Sequence, residues 1–281
     1  MSTIFQKTIT TARHKNYKIN IERFDSAMEV AESCKTRTIT SSSFDNMQTY
    51  KIHKWHGVKS YDQALELLHD GYEPVVEKLK QGTKINAQGV TKRITFQNEI
   101  QGFAPVVPLA IMGVPNSMIN TTIKPIKRKV LNVYYDITAS AGTDSQDIID
   151  AGAKLAGAIL ELEQQGYRFN LYAVQSYTGS CDADMLLVKI KSSDKPLDLR
   201  RMSFPLCHTA FFRVIGFDWY SKFPKGTYRA GYGHNLSQEF SSDRDEFIKQ
   251  VLGDDAIFIA AHRIINSDSK DEIKEVLKCN M

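Results

Sequence analysis

At 281 residues, with 42% hydrophobic and 24% charged side chains, the chain has ordinary globular composition and enough length for one large core or two smaller ones. That composition excludes extensive disorder, and the longest apolar runs, such as Ala256–Ala261, are too short to span a bilayer. The net charge of +4 hides an asymmetry: residues 1–129 hold 19 basic against 11 acidic side chains, and the remainder 17 against 21.

Cys34, Cys181, Cys207 and Cys279 stand far apart with no C-x-x-C pair. This argues against a thiol zinc site or a disulfide framework and fits a reducing cytoplasm. The N-terminal MSTIFQKTITTARHK has no apolar core of signal-peptide length, so a soluble protein is expected.

Two segments of the first half resemble each other: FDSAMEVAES (Phe24–Ser33) and YDQALELLHD (Tyr61–Asp70). Ala27, Val30 and Ala31 in one, and Ala64, Leu67 and Leu68 in the other, follow the i, i+3, i+4 spacing of short amphipathic helices. Ser60 is suited to cap the second helix and Gly71 to stop it. KRITFQNEI (Lys92–Ile100) alternates as a strand does. In GFAPVVPLAIMGVPNSMIN, Pro105, Pro108 and Pro115 with Gly102 and Gly113 break regular structure. Its apolar residues predict an irregular, partly buried connector packed on the main domain. The run KPIKRK (Lys124–Lys129) follows. Lys124, Lys127, Arg128 and Lys129 read either as a solvated linker or as phosphate contacts on a nucleic acid.

From Val130 the pattern becomes strand and helix in alternation. Strands are expected at Val130–Ile137, Arg168–Val174, Met185–Ile190 and Ala256–Ala261, and helices at Ser145–Gln165, Thr209–Ile215, Asp243–Leu252 and Lys270–Leu277. This predicts an α/β fold, a mostly parallel sheet with helices on both faces, over residues 129–281. Residues 1–128 form an N-terminal α+β extension. In the longest helix Ile148, Leu155, Ile159 and Leu162 make the apolar stripe, while Ala151, Gly152, Ala156 and Gly157 permit close approach to the sheet.

The strand at Val130 ends in D-x-T-x-S. Asp136, Thr138 and Ser140 then lie outside the carboxyl end of a buried strand, where open α/β sheets bind ligands. Three oxygen donors suit a hard cation, Mg²⁺ or Ca²⁺. The same side chains also suit local capping of the loop's own amides. Further on, FDWYSKFPKGTYRAGYGH mixes aromatic and basic residues. Trp219, Tyr220, Tyr228 and Arg229 are the expected anchors of a protein interface, with stacking on single-stranded nucleic acid as the alternative. Cys207 and His208 could form a nucleophile and base, but adjacent residues point apart, which favours a structural role. His53 and His56 could share a metal only on a helix, and Gly57 opposes one. The chain has no Walker A, H-E-x-x-H or G-x-S-x-G motif. A phosphatase D-x-D signature would need an acid where Thr138 stands.

The order strand, D-x-T-x-S, long helix, adjacent strand RFNLYAV resembles the first half of a von Willebrand factor A domain. The resemblance implies a metal-ion-dependent adhesion site beginning at Asp136, Thr138 and Ser140, with Thr209 as the later threonine. For the acid that completes such a site, Asp182 and Asp184 after the second strand are the candidates, while the last strand has His262 where the acid is expected. A second resemblance covers more of the chain. WHGVKSYDQALELLHDG (Trp55–Gly71), PLAIMGVPNSMIN (Pro108–Asn120), DITASAG (Asp136–Gly142) and PLDLRRMSFPLCHTAFFRVIGFDW (Pro196–Trp219) are similar in order and spacing to a family of tailed-bacteriophage and prophage proteins of unknown function. Its members look like degenerate von Willebrand A domains behind an N-terminal extension.

Together these readings predict a non-catalytic, phage-encoded interaction or assembly module with a relic of a divalent-cation site. Its partner would be a phage or host protein, without membrane attachment, in the host cytoplasm or the virion. The alternative is a nucleic-acid-binding protein of phage DNA or RNA metabolism.

Overall fold

The computed structural model describes residues 2–38, 53–82, 92–125, 130–139, 142–179, 182–223, 236, 240, 242–265 and 270–279. Among these, nine strands form two sheets. The main sheet has six: β1 (Thr3–Ile9), β2 (Tyr17–Phe24), β6 (Val130–Asp136), β7 (Arg168–Thr178), β8 (Asp182–Lys191) and β9 (Ala256–Ala260), in the order β1-β2-β8-β7-β6-β9. The small sheet has three: β3 (Lys92–Glu99), β4 (Ala104–Pro105) and β5 (Met118–Pro125), in the order β3-β5-β4.

Three of the five pairings in the main sheet are parallel, β2 with β8, β6 with β7 and β6 with β9. The pairings of β1 with β2 and of β7 with β8 are antiparallel. The carboxyl ends of β6, β7 and β9 therefore share one edge, and those of β2 and β8 lie at the opposite edge. The predicted mostly parallel α/β sheet is present, and it draws β1 and β2 from the N-terminal segment. Their alternation is of period 2: Ile19 and Ile21 of β2 enter one core, while Asn20, Glu22 and Phe24 face the other side. A polar ladder ties this hairpin to the sheet. Gln6 donates to Asn20 at 2.7 Å and Asn20 to Asp184 at 2.9 Å, each pair being directly opposite in the register.

Each face of the sheet has its own core. One side is packed by α1 (Ala27–Thr36), α3 (Tyr61–Asp70), α4 (Glu73–Gly82), α6 (Ser145–Gln164), α7 (Leu199–Cys207) and α8 (Phe217–Ser221); the other by α9 (Arg244–Leu252). Helix α6 follows its sequence pattern closely. Ile148, Leu155, Ile159 and Leu162 are buried, Asp144 accepts the Gln146 amide as N-cap, and Gly166 turns the chain at φ 92°. Gly152 serves a different neighbour from the one expected. A Cβ there would lie 2.3 Å from the Leu206 carbonyl oxygen, so the close approach is to α7, not to the sheet. Ser60 caps α3 and Gly71, at φ 88°, stops it, as predicted. The expected helix at Thr209–Ile215 is a π-helical turn over Phe211–Gly216. Gly216 lies against the side chain of Gln175, which itself donates to the Phe212 carbonyl.

Candidate functional site

The D-x-T-x-S loop leaves the sheet at the carboxyl end of β6, between β7 and β9. Asp136 is fully buried and Thr138 nearly so. One carboxylate oxygen of Asp136 accepts the Thr138 amide at 3.0 Å, and the Thr138 hydroxyl accepts the Ser176 amide of β7 at 3.3 Å. The loop is held from outside as well. Arg213 donates to the Ala139 carbonyl at 2.9 Å, and the Trp55 indole N–H donates to the Thr143 carbonyl at 2.6 Å. Among the described residues Thr209 reaches the loop through Trp55, donating to its carbonyl oxygen at 3.5 Å. The Arg213 guanidinium lies over the rings of Trp55, Phe212 and Phe217, 4.8 to 5.0 Å from their centroids. Burial pulls its pKa below the ordinary arginine value. The charge of Asp136 acts on Arg244, whose guanidinium donates to the Phe258 carbonyl.

In the described part of the loop the oxygen donors already have partners within the protein. The described part of the loop supplies one carboxylate, one oxygen of which accepts a loop amide, while the neighbouring hydroxyl accepts an amide of β7, and Arg213 brings a positive charge to the loop. Among the described residues no three His, Cys, Asp or Glu side chains converge as metal ligands. The bond between Asp136 and the Thr138 amide has the geometry of local capping. Ser140 lies outside the described residues.

The other sequence-predicted site residues are dispersed. Trp219 and Tyr220, expected as surface anchors, are interior, so that expectation is corrected. The Trp219 indole donates to Glu22 at 2.8 Å, and Tyr220 stacks on Tyr177 with centroids 3.8 Å apart. Burial alone would raise the Glu22 carboxyl, but the bidentate Arg37 guanidinium, with Ser2 and Trp219, holds it below the usual carboxylate range. Tyr228 and Arg229 lie outside the described residues, as do Lys127, Arg128 and Lys129. Lys124 occupies a register position in β5 opposite Arg93. His53–His56 is helical after all, in the four-residue α2. Cys207 and His208 are buried: burial pushes the thiol up, and burial with the His56 charge lowers the imidazole to about 4. The unprotonated Nδ1 of His208 accepts the Ala210 amide at 3.2 Å, between the rings of Tyr72 and Phe204.

Two surface features had no counterpart in the sequence reading. An open groove of about 510 Å³ lies at the carboxyl ends of β2 and β8, with Asp25 and Asp198 set among Lys189, Lys195 and Arg201. Its mixed charges select neither sign of ligand. The small sheet is the more telling. In the β3–β5 register, positions 94, 96, 98, 119, 121 and 123 share one face and are mostly apolar; positions 93, 95, 97, 99, 118, 120, 122 and 124 share the other and are mostly polar. An antiparallel sheet of this kind normally buries its apolar face. On this face Phe96 is 68% exposed; in the chain that follows β3, Ile100 is 72% exposed, Phe103 65%, Ile111 81% and Met112 74%. Val107 is exposed as well, on the short helix α5 (Val107–Ile111) between β4 and β5.

Of the nine exposed large hydrophobic side chains among the described residues, six lie in this one segment, Phe96–Met112. The expected connector is partly buried, Leu109, Val114 and Ile119 being half-buried, but its Phe103, Val107, Ile111 and Met112 side chains are exposed. Backbone bonds tie it to β5 and the residue before it, Phe103 donating to the Ile119 carbonyl and Val106 to the Ser117 carbonyl.

A family model for a domain of unknown function, DUF7192, matches residues 7–280. The chain belongs to the DUF7192 family. No curated protein and no solved structure matches it. The DUF7192 match runs through the main sheet and the small sheet alike, so both are part of what the family model describes. Among the described residues of this DUF7192 chain, no helix is long and apolar enough to cross a membrane.

Proposed function

We propose that the chain is a non-catalytic protein-interaction or assembly module, encoded by a tailed phage or prophage, that holds a phage or host protein on the apolar face of its small sheet. The observation that carries this reading is the concentration of exposed apolar side chains in Phe96–Met112. Monomeric proteins seldom leave such a patch uncovered unless it is a contact surface. The von Willebrand A-like reading of the main domain is supported by β6, its loop, α6 and the adjacent parallel strand β7, which follow one another in the expected order. The strand-end loop is then a relic, its donors turned to capping. The host cytoplasm or the virion is the place where such a partner would be met.

The test is quantitative affinity capture from the native host with the full chain and with an Ile111→Asp, Met112→Asp variant. Loss of a specific protein from the variant's captured set supports the reading. An identical captured set refutes it. Recovery of nucleic acid whose binding weakens steeply with salt, and further on neutralising Lys124, Lys127, Arg128 and Lys129, would favour the nucleic-acid alternative instead.

A further inference from the structure

Among the described residues β3 is an edge strand, paired with β5 on one side only. It runs for eight residues, KRITFQNE, without proline. Edge strands of this length present a row of backbone donors and acceptors, and proteins usually blunt them with proline, a bulge or repeated charge. In β3 the charges are instead segregated: Lys92 and Arg93 open the strand and Glu99 closes it.

That arrangement is complementary to itself. When a second copy of β3 pairs antiparallel across the free edge, directly opposite residues must lie on the same face. Full overlap, with position 92 opposite 99, sets apolar positions opposite polar ones and so turns the second copy's apolar face to the other side. Two neighbouring registers keep the faces aligned and leave seven of the eight residues paired. One sets Arg93 opposite Gln97 and Lys92 opposite Asn98. The other sets Arg93 opposite Glu99 twice, by symmetry, and puts Phe96 opposite Phe96 on the two-fold axis. Opposite charges and aromatic pairs across strands each stabilise a sheet.

We propose that β3 is a dimerisation strand, joining two copies of the chain edge to edge about a two-fold axis at Phe96, with Arg93 of each opposite Glu99 of the other. The pairing fuses the two small sheets into one and doubles the apolar face. The inference rests on the docking reading only for the use of that enlarged face; the pairing itself stands on the register and the charges.

Sedimentation equilibrium of the full chain up to about 100 µM tests it, since a dimer with a micromolar dissociation constant is mostly formed at that concentration. Arg93→Glu alone and Glu99→Arg alone each place like charges opposite one another and should weaken the dimer about tenfold or more. Both changes together restore the charge pairs and the dimer. Thermal melts of the three variants report whether each is folded. Register is read independently by cross-linking with oxidised glutathione. Opposite Cα atoms lie about 4.5–5.5 Å apart, within disulfide range, so Phe96→Cys should join to itself, whereas Asn98→Cys, opposite Ile94, should not. A monomer at the highest concentration, a double variant as weak as the single ones, or equal cross-linking of the two cysteine variants overturns the proposal. A monomeric chain that still loses its captured protein through the Ile111 and Met112 changes refutes the dimer and leaves the docking reading intact.

Discussion

Acidifying the protein from pH 7 to pH 5 should cost about 2 kcal/mol of stability through His208 alone. The ring is 8% exposed, lies 4.6 Å from Tyr72 and 5.3 Å from Phe204, and uses its unprotonated Nδ1 to accept the Ala210 amide. Protonation places a charge in this apolar box and removes the acceptor. Burial, helped by the charge of His56, lowers the folded pKa to about 4 from an ordinary 6.5. Between those values the unfolded chain binds the proton and the folded chain does not. Stability is therefore complete above about pH 6.5, falls as the pH drops, and bottoms out below about pH 4 with a total loss of about 3 kcal/mol. Urea unfolding at half-unit pH intervals, on the wild type and on His208→Asn, isolates the effect. Asparagine retains an acceptor for the amide two residues on but does not titrate. His262, whose pKa burial, Arg244 and Arg263 lower, contributes equally to both proteins and cancels in the difference. The variant should be less stable at pH 7 by about 1–3 kcal/mol for lost ring packing, and the gap should close by about 2 kcal/mol at pH 5. Parallel curves for the two proteins would refute the buried, neutral imidazole.

Gly152→Ala should destabilise the fold by about 1–3 kcal/mol in urea titrations, because the new methyl meets the Leu206 carbonyl of α7 and that clash outweighs the gain of about 1 kcal/mol in helix propensity. Melting curves of the wild type in chelator and in millimolar Mg²⁺ or Ca²⁺ should coincide, and Asp136→Ala should lose roughly 1 kcal/mol or more in either medium for the missing loop bond; a metal-dependent rise abolished by the substitution would restore the adhesion-type site. Ile111→Ser with Met112→Ser should leave urea stability within about 0.5 kcal/mol, since both side chains face solvent; a large loss would mean that the segment serves the core of the fold.

The strands and helices after Val130 were legible because their signals are local: apolar runs for β6 to β9, and a 3.6-residue stripe with its own cap and stop for α6. The alternation of TIFQKTI and YKINIERF was equally present at the N-terminus, yet no local feature told that this hairpin joins a sheet whose next strand begins at Asp182. Helix α7 was missed because Pro205 falls inside it, near its end. Trp219 carried the composition of an interface anchor, but its N–H finds the carboxylate of Glu22 almost two hundred residues upstream, and that partner decides its burial. The strand-end loop was placed correctly, while the contacts that hold it, from Arg213 and Ser176, come from other elements. For the small sheet the alternation was plain in KRITFQNEI. Whether anything covers its apolar face is a property of the whole molecule, and no local feature showed which of the connector's apolar residues stay exposed.

The claim that the small sheet is a docking surface is tested most directly by photo-crosslinking in the native host. A benzophenone side chain replaces Phe103 in one version of the full chain and Val276, exposed on the C-terminal helix, in another. The account predicts a discrete adduct with one protein at position 103 and none at position 276. No adduct at position 103, or the same adducts at both positions, would contradict it.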